Sequence, residues 1–548
     1  MNKITNTVDS FLQFEAQSPE APYLHKPDLT GNWEMLTRAD VGKKARQLAR
    51  FLQQQGIERG ARIGILSDNS PSWCIADLAN MMAGYVTVSI FTTMNLDTVQ
   101  YVIDHSDMQA LIIGPASNWE SIKASLPESL LLLATEDGPV NDCRHCLNDI
   151  WDSIEPLATI KPRSSEELTS IVYTSGTTGL PKGVMISLNF LYQASKGYSD
   201  HYATNERGRL FSYLPLSHIA ERVIVWGSSL YSGCQVFFNR SLETFQSDVA
   251  YARPTQFFGA PRIYANFQTW AMTEFGRDTL EQAFADRSTA VEAGRKVKDF
   301  LGLSSVKVAL VGSAPTPVSL HQWYEQAGLP LCEVWGQTEV LPATASDPDF
   351  RKPGTVGRPI AGCQIKISTE GEVLARTPYL FSGYWKNAEQ TSKTIVDGWI
   401  HTGDRGRIDE DGFLTLTGRV SELFKTAKGK YVAPVPIEEK FAKHPYVDQL
   451  CLQGLGLAQP VMLVVLSTEA QTMDPESVQQ ALATWAVELN SQLENHEKMG
   501  RVIVCDEPWS VENGLLTHTL KIKRASLWDK YHHLLSLEQS GPVSALME

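Results

Sequence analysis

One segment constrains this chain more than any other: Ile171-Val172-Tyr173-Thr174-Ser175-Gly176-Thr177-Thr178-Gly179-Leu180-Pro181-Lys182-Gly183. A β-branched and aromatic run stops abruptly, and four hydroxyl residues, three glycines and one lysine follow. The run predicts a strand that empties into a loop. Glycines let backbone N–H groups turn toward a ligand without Cβ clashes. The hydroxyls add neutral donors and Lys182 adds one positive charge. Together these suit a loop that holds a polyphosphate. The Walker arrangement, in which Gly-Lys-Ser/Thr opens a helix, does not apply, because Gly183 and Val184 follow Lys182. Taken alone, such a cluster also reads as a polar surface turn.

Strand and helix patterns alternate around this segment. Ala39–Gln55 has apolar or small residues at helical spacing, and Arg62–Leu66 reads as a strand. Pro71 opens a second helix that runs to Gly84, followed by strands at Val86–Ile90 and Leu111–Ile113. Asn189–Tyr198 is helical, Gln235–Phe238 is a strand, Pro261–Met272 begins a helix and Leu280–Phe300 reads as one charged surface helix. Val306–Val311 ends at a strand-to-turn junction, Gly312-Ser313-Ala314-Pro315. This rhythm predicts an α/β fold with mixed sheets sandwiched by helices. The glycine-rich, strand-like stretch Gly354–Thr415 predicts a small β-barrel-like region. A boundary falls near Gly418, leaving about 125 residues for a small α+β domain.

At 548 residues the chain is too long for one ordinary core. Its 48 Lys plus Arg against 62 Asp plus Glu give a net charge of −14, which argues against nucleic acid as a partner. Any phosphate substrate must then be captured by local cations against an unfavourable global field. No apolar run approaches the ~20 residues of a membrane helix, and Met1–Phe14 lacks a secretory pattern. Peripheral contact with a membrane surface stays open. Eight scattered cysteines suit a reducing cytoplasm. Cys143-Arg144-His145-Cys146 has metal or redox spacing, but no second pair completes four ligands.

Tyr173–Gly183 resembles the phosphate-loop signature of the adenylate-forming acyl ligases. Four more segments match that family in order: Trp335-Gly336-Gln337-Thr338-Glu339, His401-Thr402-Gly403-Asp404, Gly418-Arg419 and Leu516–Arg524. The resemblance runs from Trp33 to Arg524. It implies two steps, in which a carboxylate attacks the α-phosphorus of ATP and the thiol of coenzyme A then displaces AMP. Thr174, Ser175, Gly176, Thr177, Thr178, Gly179 and Lys182 are expected on the β- and γ-phosphates, and Glu339 on Mg2+. Trp335 and Gly336, with Gly312, Ser313 and Ala314, are expected around the adenine, Gln337 among the nucleotide-binding residues, and Thr338 near the α-phosphate. Asp404 and Arg419 are expected to hold the ribose, with Arg419 also near phosphate. Lys521 matches the catalytic lysine, although His518 replaces the family's common proline. The family plan joins residues 1–418, the nucleotide- and acyl-binding domain, to a mobile domain, 419–548, through a hinge at 419–422. At that hinge Ser421 stands where Asp or Lys is common.

Leu214-Pro215-Leu216-Ser217-His218-Ile219-Ala220-Glu221-Arg222 resembles the long-chain acyl-CoA synthetases in particular, as do Pro261–Tyr264 and Leu423–Pro434. That points to a fatty acid substrate and sets His218 at the junction of acyl and thiol sites. His218 also reads as a helix N-terminal capping partner. Tyr213, Phe257, Phe258 and Gly259 are apolar enough to line an acyl chain or simply to fill a core. Lys428 and Lys430, beside Gly429, are candidates for coenzyme A phosphates. A carrier-protein arm as acceptor, a luciferase-like oxygenase and a silent acyl-nucleotide-binding protein are the alternatives.

Overall fold

Local signals start and stop several of the helices. In Pro71–Ala83 the Ser70 hydroxyl accepts from the Trp73 amide, Pro71 takes the first helical position, and Gly84 closes the helix at φ +83°. Thr37 and Asp40 form a reciprocal capping box at the head of Arg38–Gln54. The computed structural model describes residues 6–28, 30–174, 180–517, 521–535 and 544–547. Of the motif residues, Ser175, Gly176, Thr177, Thr178, Gly179, His518, Thr519 and Leu520 lie outside the described residues.

Two large sheets form the N-terminal part. The first runs in the order His145–Cys146, Leu131–Ala134, Met108–Ile113, Arg62–Leu66, Val86–Ile90, Leu168–Thr174, Lys182–Ser187. Its neighbours are parallel except the last pair. The second has nine strands, with Leu331–Trp335, Val308–Gly312, Gln256–Gly259, Arg209–Ser212, Gln235–Phe238 and Pro22–Pro27 parallel in its centre and antiparallel strands at both edges. Parallel strands need crossover connections, so helices cover the sheets. Leu66, Val88, Ile90, Leu111 and Ile171 belong to one core, and Phe211, Phe257, Tyr264 and Phe267 to another. A fully buried ion pair, Arg222 with Asp77, ties the Pro71–Ala83 helix to the segment after residue 221; Arg222 also donates to Ser170 Oγ at 2.6 Å. Removing one partner of such a pair costs about 3–5 kcal/mol.

One expected element differs. Leu280–Phe300 is two helices, Arg277–Ala285 and Arg287–Phe300. Asp286 sits between them with extended backbone and accepts from the Ser288 amide at 2.9 Å, since its carboxylate caps a helix better than it continues one. The apolar run Val223–Tyr231 is a π-helical turn, Arg222–Gly227, leading into Ser228–Ser232. The glycine-rich stretch supplies Gln364–Ile367, Glu372–Arg376, Ile395–Val396, Trp399–Ile408 and Leu414–Arg419, which make one five-stranded sheet.

Contacts divide the chain into two units. Among the described residues, Lys366–Val373 and everything from Thr402 form the second. That unit has its own sheet, Val447–Gln453, Val461–Leu466, Arg501–Val504 and Ser544–Met547. Side chains alternate across Val461–Leu466: Met462, Val464 and Leu466 enter one core, Val461, Leu463 and Val465 another. Pro475–Asn490 covers the first face and Arg524–Leu535 the second.

Candidate active site

Leu168–Thr174 ends where the hydroxyl-rich motif begins, and Lys182–Ser187 returns antiparallel to it. Thr174 stands opposite Lys182, and Tyr173 opposite Gly183. A methyl group on Gly183 would lie 2.8 Å from Ile171 Cγ2 and 3.3 Å from both Trp385 Cβ and the Tyr173 ring. This glycine serves close packing at the hairpin base. The Tyr173 hydroxyl meets His105 Nδ1 at 2.8 Å, and the Trp385 indole donates to the His105 carbonyl at 3.0 Å. The segment at 382–385 lies along the hairpin: Met185 N–H donates to the Gly383 carbonyl at 2.9 Å and Trp385 N–H to that of Gly183 at 2.8 Å.

That segment brings in a residue the sequence did not single out. The Tyr384 hydroxyl donates to Glu339 Oε1 at 2.6 Å, and the Lys182 ammonium lies 5.6 Å from the centre of the Tyr384 ring. Burial first, then the Glu339 carboxylate, pushes the Tyr384 phenol up, so it stays a neutral donor. Lys182, Tyr384 and Glu339 are thus one cluster. No group of three or more metal-ligating side chains occurs among the described residues. A single half-buried carboxylate suits Mg2+, a hard cation that keeps water and takes phosphate oxygens beside one or two carboxylates. The donor set therefore fits that ion.

Gly312 and Val334 pair across two parallel strands, and both strands end at candidate residues. A Cβ on Gly312 would fall 2.6 Å from the Val334 carbonyl, and Ser313 adopts φ +70°. That left-handed turn leaves Ser313 and Ala314 exposed beyond the strand. Trp335 is buried, as is Thr338; Gly336 and Gln337 are half-buried. A Cβ on Gly336 would lie 2.8 Å from Leu341 Cα. The C-terminal ends of parallel strands are where open α/β sheets take ligands.

The acyl-side residues sort by face. Phe257 is inside the core with Tyr264 and Phe267, whereas Phe258 points the other way, 3.6 Å from where a Gly312 Cβ would sit. Tyr213 stacks on Phe257 at 5.7 Å and donates to the Phe258 carbonyl at 2.9 Å. His218 caps the short helix Ile219–Glu221, its Nδ1 accepting from the Ala220 amide at 3.2 Å. Glu221 is fully buried and accepts from the Tyr213 amide at 3.2 Å. Burial pushes its carboxyl up to about 8, against the pull of Ser212 and that amide.

The second unit carries the remaining residues. Asp404 and Arg419 are opposite one another on paired strands, with Arg419 Nε 2.9 Å from Asp404 Oδ1. Thr402 Oγ1 accepts from the Asp404 amide and donates to the Val373 carbonyl, and Glu372 accepts from the Gly403 amide at 2.8 Å. These bonds hold the turn and its carboxylate. Val420–Glu422, just after Arg419, is a 3₁₀ turn with Ser421 exposed. Lys521 is exposed; a bridge pairs Leu516 with Ile522, and Thr517 N–H donates to Lys521 O at 2.7 Å. Arg524, further along the chain, is no solvated tail: it holds Glu438 through two bonds of 2.7 and 2.6 Å and reaches Glu422 at 3.6 Å.

The chain is similar to known proteins along most of its length. The AMP-binding enzyme profile matches residues 11–385, and the AMP-binding enzyme C-terminal domain matches 422–536. A long-chain-fatty-acid–CoA ligase of Mycobacterium bovis is 28% identical, the match covering 94% of each chain. Fatty acyl-CoA synthetase A of Dictyostelium discoideum is 28% identical over 92% of this chain and 86% of its own. An anthranilate CoA ligase solved with anthranoyl-AMP superposes with a TM-score of 0.80 at 22% identity, covering 97% of this chain and 98% of that one. The A domain of a carboxylic acid reductase from Segniliparus rugosus, solved with AMP and a co-purified carboxylic acid, superposes with a TM-score of 0.80 at 21% identity, covering 97% of this chain and 93% of that one. With its N-terminal profile alone spanning more than half its length, the chain belongs to the AMP-binding enzyme family, within the adenylate-forming superfamily.

Proposed function

We propose that this chain is an AMP-forming long-chain fatty acid–CoA ligase that acts in the cytoplasm with ATP, Mg2+ and coenzyme A. The observation that carries the reading is the likeness along nearly the whole chain to enzymes named as long-chain-fatty-acid–CoA ligases. The Leu214–Arg222 segment supports the same acyl class. In the first step the fatty acid carboxylate attacks the α-phosphorus and pyrophosphate leaves. Lys182 and the hydroxyl loop bind the outgoing phosphates, and Trp335 and Gly336 orient the adenine. Asp404 accepts from the ribose hydroxyls and Arg419 steadies that carboxylate. Lys521 offsets charge between carboxylate and α-phosphate. Glu339 would hold Mg2+, which would supply positive charge against the triphosphate. In the second step the thiol of coenzyme A attacks the acyl carbonyl and AMP leaves, with His218 beside the thiol and Lys428 and Lys430 near its phosphates. The 419–548 part turns about 419–422 between the steps.

A panel of carboxylic acids scored by pyrophosphate release, with coenzyme A or a holo-carrier protein as acceptor, tests this. Acids of about a dozen carbons or more should beat acetate strongly, since each buried CH₂ contributes ~0.8 kcal/mol. Equal efficiency for acetate and a long acid overturns the acyl class. Transfer to the carrier but not to coenzyme A overturns the acceptor.

A further inference from the structure

We infer that Tyr384 is a positioning residue for the nucleotide–metal site, aiming the Glu339 carboxylate and the Lys182 ammonium from one ring. The inference rests on the assignment of Glu339 to Mg2+ and Lys182 to phosphate, and goes beyond it by giving both residues a common support. The phenol hydroxyl donates to Glu339 Oε1 at 2.6 Å, and among the described residues no bond is made to Oε2. One carboxylate oxygen is therefore fixed while the other is left for an incoming cation. The face of the same ring lies 5.6 Å from Lys182 Nζ, within the range of a cation–π contact. Tyr384 is itself held firmly. It is 7% exposed, its amide donates to Thr391 Oγ1 at 2.9 Å, and its backbone bridges to Val184, two residues after Lys182. A group that orients a metal ligand through a hydrogen bond typically changes metal affinity by about 10–100-fold when lost.

The two contacts can be removed separately. Tyr384→Phe deletes the hydroxyl and keeps the ring, while Tyr384→Leu deletes both. Calorimetric titration of ATP in the absence of any acid reads binding without turnover, with Mg2+ varied or chelated. Tyr384→Phe should raise the Mg2+ concentration needed for tight ATP binding by about tenfold or more and leave metal-free ATP binding unchanged. Tyr384→Leu should show the same Mg2+ defect and also weaken metal-free ATP binding by about 2–5-fold, the size of an exposed cation–π contact. Glu339→Gln serves as the reference, and in the double variant Tyr384→Phe should add nothing to the Mg2+ defect. Wild-type Mg2+ dependence in Tyr384→Phe overturns the proposal. So does a Tyr384→Phe defect that persists in full on the Glu339→Gln background. If Glu339→Gln alone leaves Mg2+ dependence intact, the metal assignment itself fails, and the inference with it. Thermal unfolding of each variant confirms that folded protein is compared, and the single and double variants on Glu339 keep the test decisive if Tyr384→Leu does not fold.

Discussion

Lys521 and Glu221 are ionisable side chains in opposite surroundings, and each makes a separate claim on the pH and rate behaviour of the enzyme. Lys521 is exposed, while the Arg524–Glu438 pair anchors the chain just beyond it. Replacing Lys521 by Ala should therefore leave the second unit folded. Acyl-AMP formation should fall by about 10²-fold or more, as when a preorganised charge donor is lost, while thioester formation from supplied acyl-AMP survives. Measuring the two half-reactions separately checks this, and a parallel loss of both contradicts it. Glu221 has its folded carboxyl raised from the ordinary 4.5 to about 8. Between those values the folded chain keeps a proton that the unfolded chain releases, so this group makes stability fall as pH rises through the window and has no effect below it. Glu221→Gln should remove that loss. From pH 5.5 to 7.5 the wild type should lose of order 2–3 kcal/mol more than the variant, at about 1.4 kcal/mol per pH unit, read from denaturant midpoints at the two pH values. The strand that runs up to Thr174 was legible because its β-branched and aromatic run is local. Tyr384 was not: its partners lie about 45 and 200 positions away, and nothing in its own neighbourhood announces them. Glu221 likewise looked like one more charged residue until the fold buried it under the Tyr213 turn.

At the scale of elements, Val420–Glu422 makes the sharpest prediction. A 3₁₀ turn has φ of about −50 to −70°, which includes the value that proline imposes, near −65°. Ser421→Pro should therefore preserve this turn and freeze it. One half-reaction should continue while the other collapses, and Ser421→Ala should be nearly silent. Stopped-flow measurement of both steps decides it; wild-type rates for both in Ser421→Pro mean the pivot lies elsewhere. Elements with strong local signals were readable to the residue. Arg62–Leu66, Val86–Ile90 and Gln235–Phe238 have the bounds their apolar runs suggest. Charged periodicity continued through Asp286 and hid the break there, because a cap and an exposed helical residue look alike until the backbone turns. The π turn at Arg222–Gly227 was equally hidden: every residue in it is buried, so no amphipathic face reports its period.

For the whole molecule, length and boundary composition indicated more than one core, and the contacts yield two units. Alternating apolar runs also foretold mixed sheets, but strand order was not readable, since it depends on pairings between distant segments. The hairpin that carries Lys182 shows what such pairings entail. Its outer strand, Lys182–Ser187, ends the seven-stranded sheet, and its free backbone groups are met by residues 382–385. That hairpin therefore leaves the ribosome long before the strip that covers its edge. At about 5–20 residues per second, synthesis of roughly 200 intervening residues takes about 10–40 seconds. During that interval the nascent chain carries an uncovered sheet edge, the kind that pairs with other chains. Docking of the 382–385 strip along Lys182–Ser187 is then the moment at which the edge ceases to be a hazard.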